Sequence, residues 1–188
     1  SSKHTIPLIF LHGGGFHSGN EENRFAILFI ENMLQRGFPV FSIQYSISKK
    51  KIPLEQKAKI ATLDIYKAVD YISDQFNYQS VSHPQYLIAG LSAGAIIAML
   101  MGLNFFTSKN YQSQIAGIIS INGCLGPYYR FINHQTPPFL LWHSKNDQLA
   151  SLSDCSQKIQ KHSQRVGQEC FLYIMDGSHS QFNLSFTG

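Results

Sequence analysis

Cysteine and charge are both sparse in this 188-residue chain, and each scarcity removes a class of protein. The three cysteines, Cys124, Cys155 and Cys170, have no CxxC or other metal-ligand spacing, and any pairing leaves one thiol over. Neither a zinc site nor a disulfide-dense scaffold is expected, and reduced, structural cysteines are. If Cys155 lies early in a helix and Cys170 opens the next strand, the intervening helix holds them beyond the roughly 4.4 to 6.8 Å that a disulfide spans between Cα atoms. The expected compartment is cytoplasmic, with secretion after processing left open, because Ser1-Ser2-Lys3-His4 lacks the basic-then-apolar order of a signal peptide. No run approaches about 18 consecutive apolar residues, so no membrane span is expected. Only 14% of residues are charged, and the 15 Lys and Arg that outnumber 11 Asp and Glu are scattered apart from Lys49-Lys50-Lys51. That run reads as a solvated loop. With no stripe of base-reading residues, no nucleic-acid partner is expected.

What is present is a globular core, with 44% hydrophobic residues in a length that suits a single domain over residues 1–188. Strand-like runs, most of them continuously apolar, recur at Ile6–Leu11, Val40–Tyr45, Tyr86–Leu91, Ile115–Ile121, Phe139–His143 and Glu169–Met175. Helical spacing falls between them: Glu22–Gln35, with Phe25, Leu28, Phe29, Met33 and Leu34 apolar; Leu54–Phe76, with Ile60, Leu63, Asp64, Val69 and Ile72 near one side; Ala93–Leu103; and Ser151–Val166. Strands that are mostly continuously apolar and alternate with helices imply a mostly parallel sheet covered on both faces. Asp64 is expected to cap or to accept a buried hydrogen bond.

The stretch that organises the chain is Gly90-Leu91-Ser92-Ala93-Gly94, where an apolar strand runs straight into a helix with one hydroxyl at the bend. Gly-x-Ser-x-Gly in that setting is a nucleophile elbow, which holds a serine in a strained turn at the end of a sheet. The first strand opens into His12-Gly13-Gly14-Gly15-Phe16, three consecutive glycines that suit close approach of main-chain N–H groups to an oxyanion. The ring of His12 is expected to brace that loop. Open parallel sheets gather ligands beyond the carboxyl ends of their strands. Gly14, Ser92, Asp147 and His179 all fall there, in the chain order Ser, Asp, His. Ser92 is the expected nucleophile, His179 its base and Asp147 the group that fixes the imidazole. Asp154 competes with Asp147 but falls inside the expected helix. His143, His162 and His12 compete with His179, His143 most closely because it too ends a strand. Phe16, Tyr128, Tyr129 and Phe131 are candidates to line a substrate pocket.

The motifs His12-Gly13-Gly14-Gly15-Phe16, Gly90-Leu91-Ser92-Ala93-Gly94, His143-Ser144-Lys145-Asn146-Asp147 and Gly177-Ser178-His179-Ser180-Gln181-Phe182 together resemble α/β hydrolases of the hormone-sensitive-lipase and carboxylesterase type. Tyr45, Pro53 and Asp64 echo the same pattern, while Leu91 stands where that family usually has Asp and Ser46 where it has Arg. The resemblance implies the α/β-hydrolase fold and oxyanion donors at the N–H groups of Gly14, Gly15 and Ala93, with no cofactor and no metal; among the aromatic candidates, Phe16 and Tyr128 are the expected substrate contacts. The implied activity is hydrolysis of small acyl or aryl esters through an acyl-enzyme. Amide cleavage of the arylformamidase or acylaminoacyl-peptidase kind and a non-catalytic ligand-binding role are the alternatives. The fold is expected to lack the usual leading antiparallel strands, N-terminal cap and closing helix. Either the chain is a minimal or trimmed hydrolase, or a partner, such as a second copy in a homo-oligomer, covers the sheet edge.

Overall fold

The computed structural model of the chain describes residues 6–22, 24–75 and 85–181. Strand β1 (Leu8–Leu11) is followed by helix α1 (Arg24–Gln35), β2 (Val40–Ile43), α2 (Leu54–Gln75), β3 (Tyr86–Leu91), α3 (Ala93–Gly102), β4 (Ile115–Ile121), β5 (Phe139–Ser144), α4 (Ser156–Arg165) and β6 (Cys170–Met175). A 3-10 helix at Gly126–Phe131 lies between β4 and β5. The six strands form one sheet in the order β2-β1-β3-β4-β5-β6, and every neighbouring pair is parallel.

Alternation along the strands divides the core in two. Leu8 and Phe10 of β1 join Ala26, Phe29 and Met33 of α1 on one face. Ile9 and Leu11 point the other way, into a cluster with Ala61 and Ile65 of α2, Ile97 and Leu100 of α3 and Ile159 of α4. Helices therefore cover both faces, α1 on one and α2, α3 and α4 on the other.

Several boundaries and faces differ from the sequence expectation. Residues 152–155 form turns, so the last helix starts at Ser156, and Ser151 Oγ accepts the Asp154 N–H at 3.1 Å ahead of it. Asp154 thus precedes the helix instead of lying in it. On α1, Leu28 and Leu34 are exposed while Ala26 takes their place in the core. On α2 the buried stripe runs through Ala58, Ala61, Ile65, Tyr66 and Val69, leaving Ile60 outside. In both helices the buried face includes alanines, which carry little hydrophobic signal in the sequence. Phe76 lies outside the described residues.

The cysteines correct the expectation of reduced thiols: Cys124 and Cys155 form a disulfide, with Cα atoms 4.7 Å apart across 31 residues of sequence, and Cys170 is free. Separation by a helix does keep Cys155 from Cys170. What sequence spacing did not reveal is that β4 and β5 are neighbours, which brings the segment after β4 against the N-terminus of α4.

Candidate active site

Strand order reverses at β1, whose neighbours are β2 on one side and β3 on the other. This is the switch point of an open α/β sheet, where a crevice opens beyond the strand ends. The glycine loop leaves β1 there and the elbow leaves β3 beside it.

Ser92 caps α3 with φ 52° and ψ −112°. A non-glycine residue in that region costs on the order of 1 to 3 kcal/mol and persists only when the surroundings enforce it. Here the Ser92 N–H donates to the Ile121 carbonyl at 2.8 Å, which pins the bend to β4. A Cβ at Gly94 would strike the carbonyl oxygens of Leu11 and His12, and one at Gly90 would strike the backbone of Gly94. The two motif glycines therefore let the first turn of α3 rest directly on the end of β1. Gly14 adopts φ 123° and its carbonyl accepts the N–H groups of His17 and Ser18 at 3.1 Å, so the loop closes on itself. Gly15 and Phe16 follow at φ 61° and 62°.

His12 is fully buried, its ring stacked on Tyr45 at 4.2 Å between centroids and its Nδ1–H donating to the Gly13 carbonyl at 2.6 Å. Tyr45 in turn donates its hydroxyl to the His12 carbonyl at 2.6 Å, and burial raises its pKa. His12 braces the loop, as expected. Asp64 accepts the Ser46 N–H at 3.1 Å from the middle of α2, in an exposed bond, so it neither caps a helix nor accepts the buried hydrogen bond expected of it.

The structure brings Ser92, His179 and Asp147 together. His179 Nε2 lies 2.8 Å from Ser92 Oγ, and His179 Nδ1 lies 2.7 Å from Asp147 Oδ2. A carboxylate only accepts, so Nδ1 carries the proton and Nε2 presents its lone pair to the serine hydroxyl. Asp147 is itself fixed, since its Oδ1 accepts the N–H groups of Leu149 and Ala150 at 2.9 and 2.8 Å. The His179 loop is tied back where Asn146 N–H donates to the Gly177 carbonyl at 3.1 Å and Lys145 N–H to Met175 at 2.8 Å.

The competing histidines are engaged elsewhere. His143 is fully buried, with Nε2–H donating to the Ala150 carbonyl and Nδ1 accepting from Ser156 Oγ, both at 2.7 Å. Burial lowers its pKa and keeps it neutral. His162 Nε2–H donates to the Ile132 carbonyl at 3.2 Å.

Beside Ser92 and His179 lies a cavity of about 530 Å³. Its walls are apolar and include Phe16, Ala58, Ile96, Leu100, Phe106 and Leu125. Gly15, Ala93 and Tyr128 line it as well, whereas Gly14 is not part of its wall. Ala93 is the first residue of α3, so its N–H has no partner within the helix. Tyr128 donates its hydroxyl to Glu55 at 2.6 Å across the rim, and this bond raises its pKa. Tyr129 packs edge-on against His162 and Phe131 edge-on against Phe105, and the cavity wall includes neither. Sequence reasoning missed Ile96 and Leu100, which follow the elbow at helical spacing. It also missed Asn122, whose Nδ2 donates to the His179 carbonyl at 3.0 Å and whose Oδ1 accepts the Ser144 N–H at 2.7 Å. Among the described residues no group of His, Cys, Asp and Glu could hold a metal ion, and no helix is long and apolar enough to cross a membrane.

This sheet and its surroundings are those of the α/β-hydrolase fold, shared with Thermogutta terrifontis esterase 2. The form of that enzyme phosphorylated by paraoxon matches with a TM-score of 0.79 at 18% identity, covering 98% of this chain and 76% of that one. Its propionate-bound form matches with a TM-score of 0.77 at 16% identity, over 98% and 78% of the two chains. The BD-FAE family model matches residues 1–128, and the chain belongs to the BD-FAE family. No curated protein matches it significantly.

Proposed function

We propose that the chain is a serine hydrolase that cleaves small carboxylic esters through an acyl-enzyme. The unbroken line of hydrogen bonds from Ser92 through His179 to Asp147 carries this reading. Ser92 Oγ attacks the ester carbonyl while its proton passes to His179 Nε2, and Asp147 stabilises the resulting imidazolium. The N–H groups of Gly15 and Ala93, with Gly14 as the expected third, receive the oxyanion; each such donor is worth on the order of 10² to 10³ in turnover. Collapse of the intermediate breaks the ester C–O bond, and the alcohol leaves with the proton from His179. Water then repeats the sequence on the acyl group and returns the serine. Phe16 and Tyr128, in the wall of the cavity, contact the acyl or alcohol portion. That a structurally similar esterase is phosphorylated by paraoxon supports the same chemistry.

The test is turnover of p-nitrophenyl acetate and butyrate by the wild type and by Ser92→Ala, together with labelling by paraoxon. Loss of both turnover and labelling in Ser92→Ala is expected. Equal turnover in the two proteins sinks the assignment, and a wild type that folds but neither turns over nor labels points to a binding protein. The Cys124–Cys155 bridge further supports work in an oxidising compartment, because such bonds are rarely kept in the cytosol. One free thiol per unfolded, unreduced chain is expected from protein taken from its native source, and three would return the expectation to the cytoplasm.

A further inference from the structure

Away from the Ser92 cavity, the 3-10 helix Gly126–Phe131 and α4 enclose a second concavity of about 550 Å³. Its wall consists of Tyr129, Arg130, Lys158, Lys161, His162 and Arg165. Positions 158, 161, 162 and 165 recur at three, four and seven residues, which is one face of a helix. The opposite stripe of α4, Ser156, Ile159 and Ser163, is the buried one. Arg130 comes from the facing wall, so four permanent cations meet in one hollow. Asp154, 2.7 Å from Lys158, is the carboxylate that faces them from the turn before α4. The hollow then holds a net charge of about three, with His162 taken as neutral, in a chain whose whole formal excess is +4. The positive potential registers on Tyr129, whose pKa is lowered by its hydrogen bond to Arg130 and by the charges of Arg130, Lys158 and Arg165.

Like charges at helical spacing repel, and folding brings a fourth against them. Two guanidinium groups add planar forks suited to oxyanions. The wall includes no aliphatic side chain to enter a lipid surface, and Tyr129, its one aromatic ring apart from the imidazole, is engaged by His162 and Arg130 and offers no platform for bases. We propose that this concavity is a binding site for a compact, multiply charged oxyanion of the di- or triphosphate class, held by Arg130, Arg165, Lys158 and Lys161. The proposal stands independently of the hydrolase reading, since none of these side chains touches Ser92 or His179.

The probe is inorganic tripolyphosphate, titrated calorimetrically into the full chain at 20 mM and 200 mM NaCl, with acetate as a singly charged comparison. Saturable one-to-one binding at low salt is expected, weakened at least tenfold at high salt, with no measurable binding of acetate. Arg130→Gln/Arg165→Gln should weaken it at least tenfold. Lys49→Gln/Lys50→Gln, which removes the same charge from an exposed loop elsewhere, should leave it within twofold. Arg130→Lys/Arg165→Lys keeps the charge and should lie between, and a thermal melt of each variant establishes that it folds. No binding to the wild type, or equal weakening by the Arg and the Lys49/Lys50 pairs, overturns the proposal, the second outcome meaning general attraction to a basic protein.

Discussion

Asn122 does more than its position in the sequence suggests. It sits at the end of β4 with φ 50°, a conformation asparagine tolerates better than other side chains with a Cβ. From there its amide spans two loops: Nδ2 donates to Ser144 Oγ and to the His179 carbonyl, and Oδ1 accepts the Ser144 N–H. It therefore acts on the proposed chemistry through His179 as a positioning residue. Asn122→Asp keeps the acceptor for Ser144 but turns an oxygen toward the His179 carbonyl, so the imidazole should lose its alignment with Ser92. Misplacement of about 1 Å costs on the order of 10² in rate. The expectation is a fall of that order in kcat on p-nitrophenyl butyrate, with KM within about twofold and paraoxon labelling slowed in parallel. A purely structural role would lower the melting temperature while leaving kcat per folded molecule unmoved.

At the scale of elements, the disulfide ties together two segments that both border the candidate site. Cys124 lines the Ser92 cavity just before the 3-10 helix that carries Tyr128, and Cys155 caps α4 a few residues beyond the Asp147 turn. Closing a loop of this length restricts the unfolded chain by about 3 to 4 kcal/mol in the chain-entropy account. Cys124→Ser/Cys155→Ser should therefore shift the urea midpoint downward by the equivalent of about 2 to 4 kcal/mol. Activity on acetate should survive better than activity on butyrate, since the cavity wall loosens before the triad does. A double variant with an unchanged midpoint would mean that the bridge contributes nothing to stability. Cys170 provides the internal control: burial pushes its thiol up to about 11, so it should alkylate slowly at pH 8 in the folded protein.

For the whole molecule, the features legible in the sequence are those that depend on neighbours along the chain. The apolar runs gave the strands, and Gly90, Ser92 and Gly94 gave the elbow, because strain and close approach at a turn are set by residues a few positions apart. Asp147 and His179 were legible one step further on, from their places just past strand ends. The disulfide, Asn122 and the basic face of α4 were not, because each depends on which strands and helices lie side by side. The buried face of α2 was legible only in part, through Val69, because Ala58 and Ala61 carry little hydrophobic signal yet lie buried in the core that α2 shares with α3.

The same long-range packing makes the stability of the whole molecule pH-dependent through His143. At the end of β5 it bonds to both Ala150 and Ser156, so it joins the Asp147 turn to α4. Desolvation lowers its pKa in the folded state from the ordinary 6.5. Above that ordinary value both folded and unfolded chains hold it neutral, and it adds no pH dependence. Below it the unfolded chain takes up a proton that the folded chain refuses, so stability falls with falling pH, until the folded pKa is passed. The slope approaches about 1.4 kcal/mol per pH unit for one proton. Urea unfolding between pH 7.5 and 5.5 should show this loss in the wild type. His143→Gln keeps a donor for Ala150 but cannot titrate, so it should be less stable at pH 7.5 yet lose less on acidification. Parallel pH profiles for the two proteins would show that acid sensitivity originates elsewhere and that His143 is only a packing group.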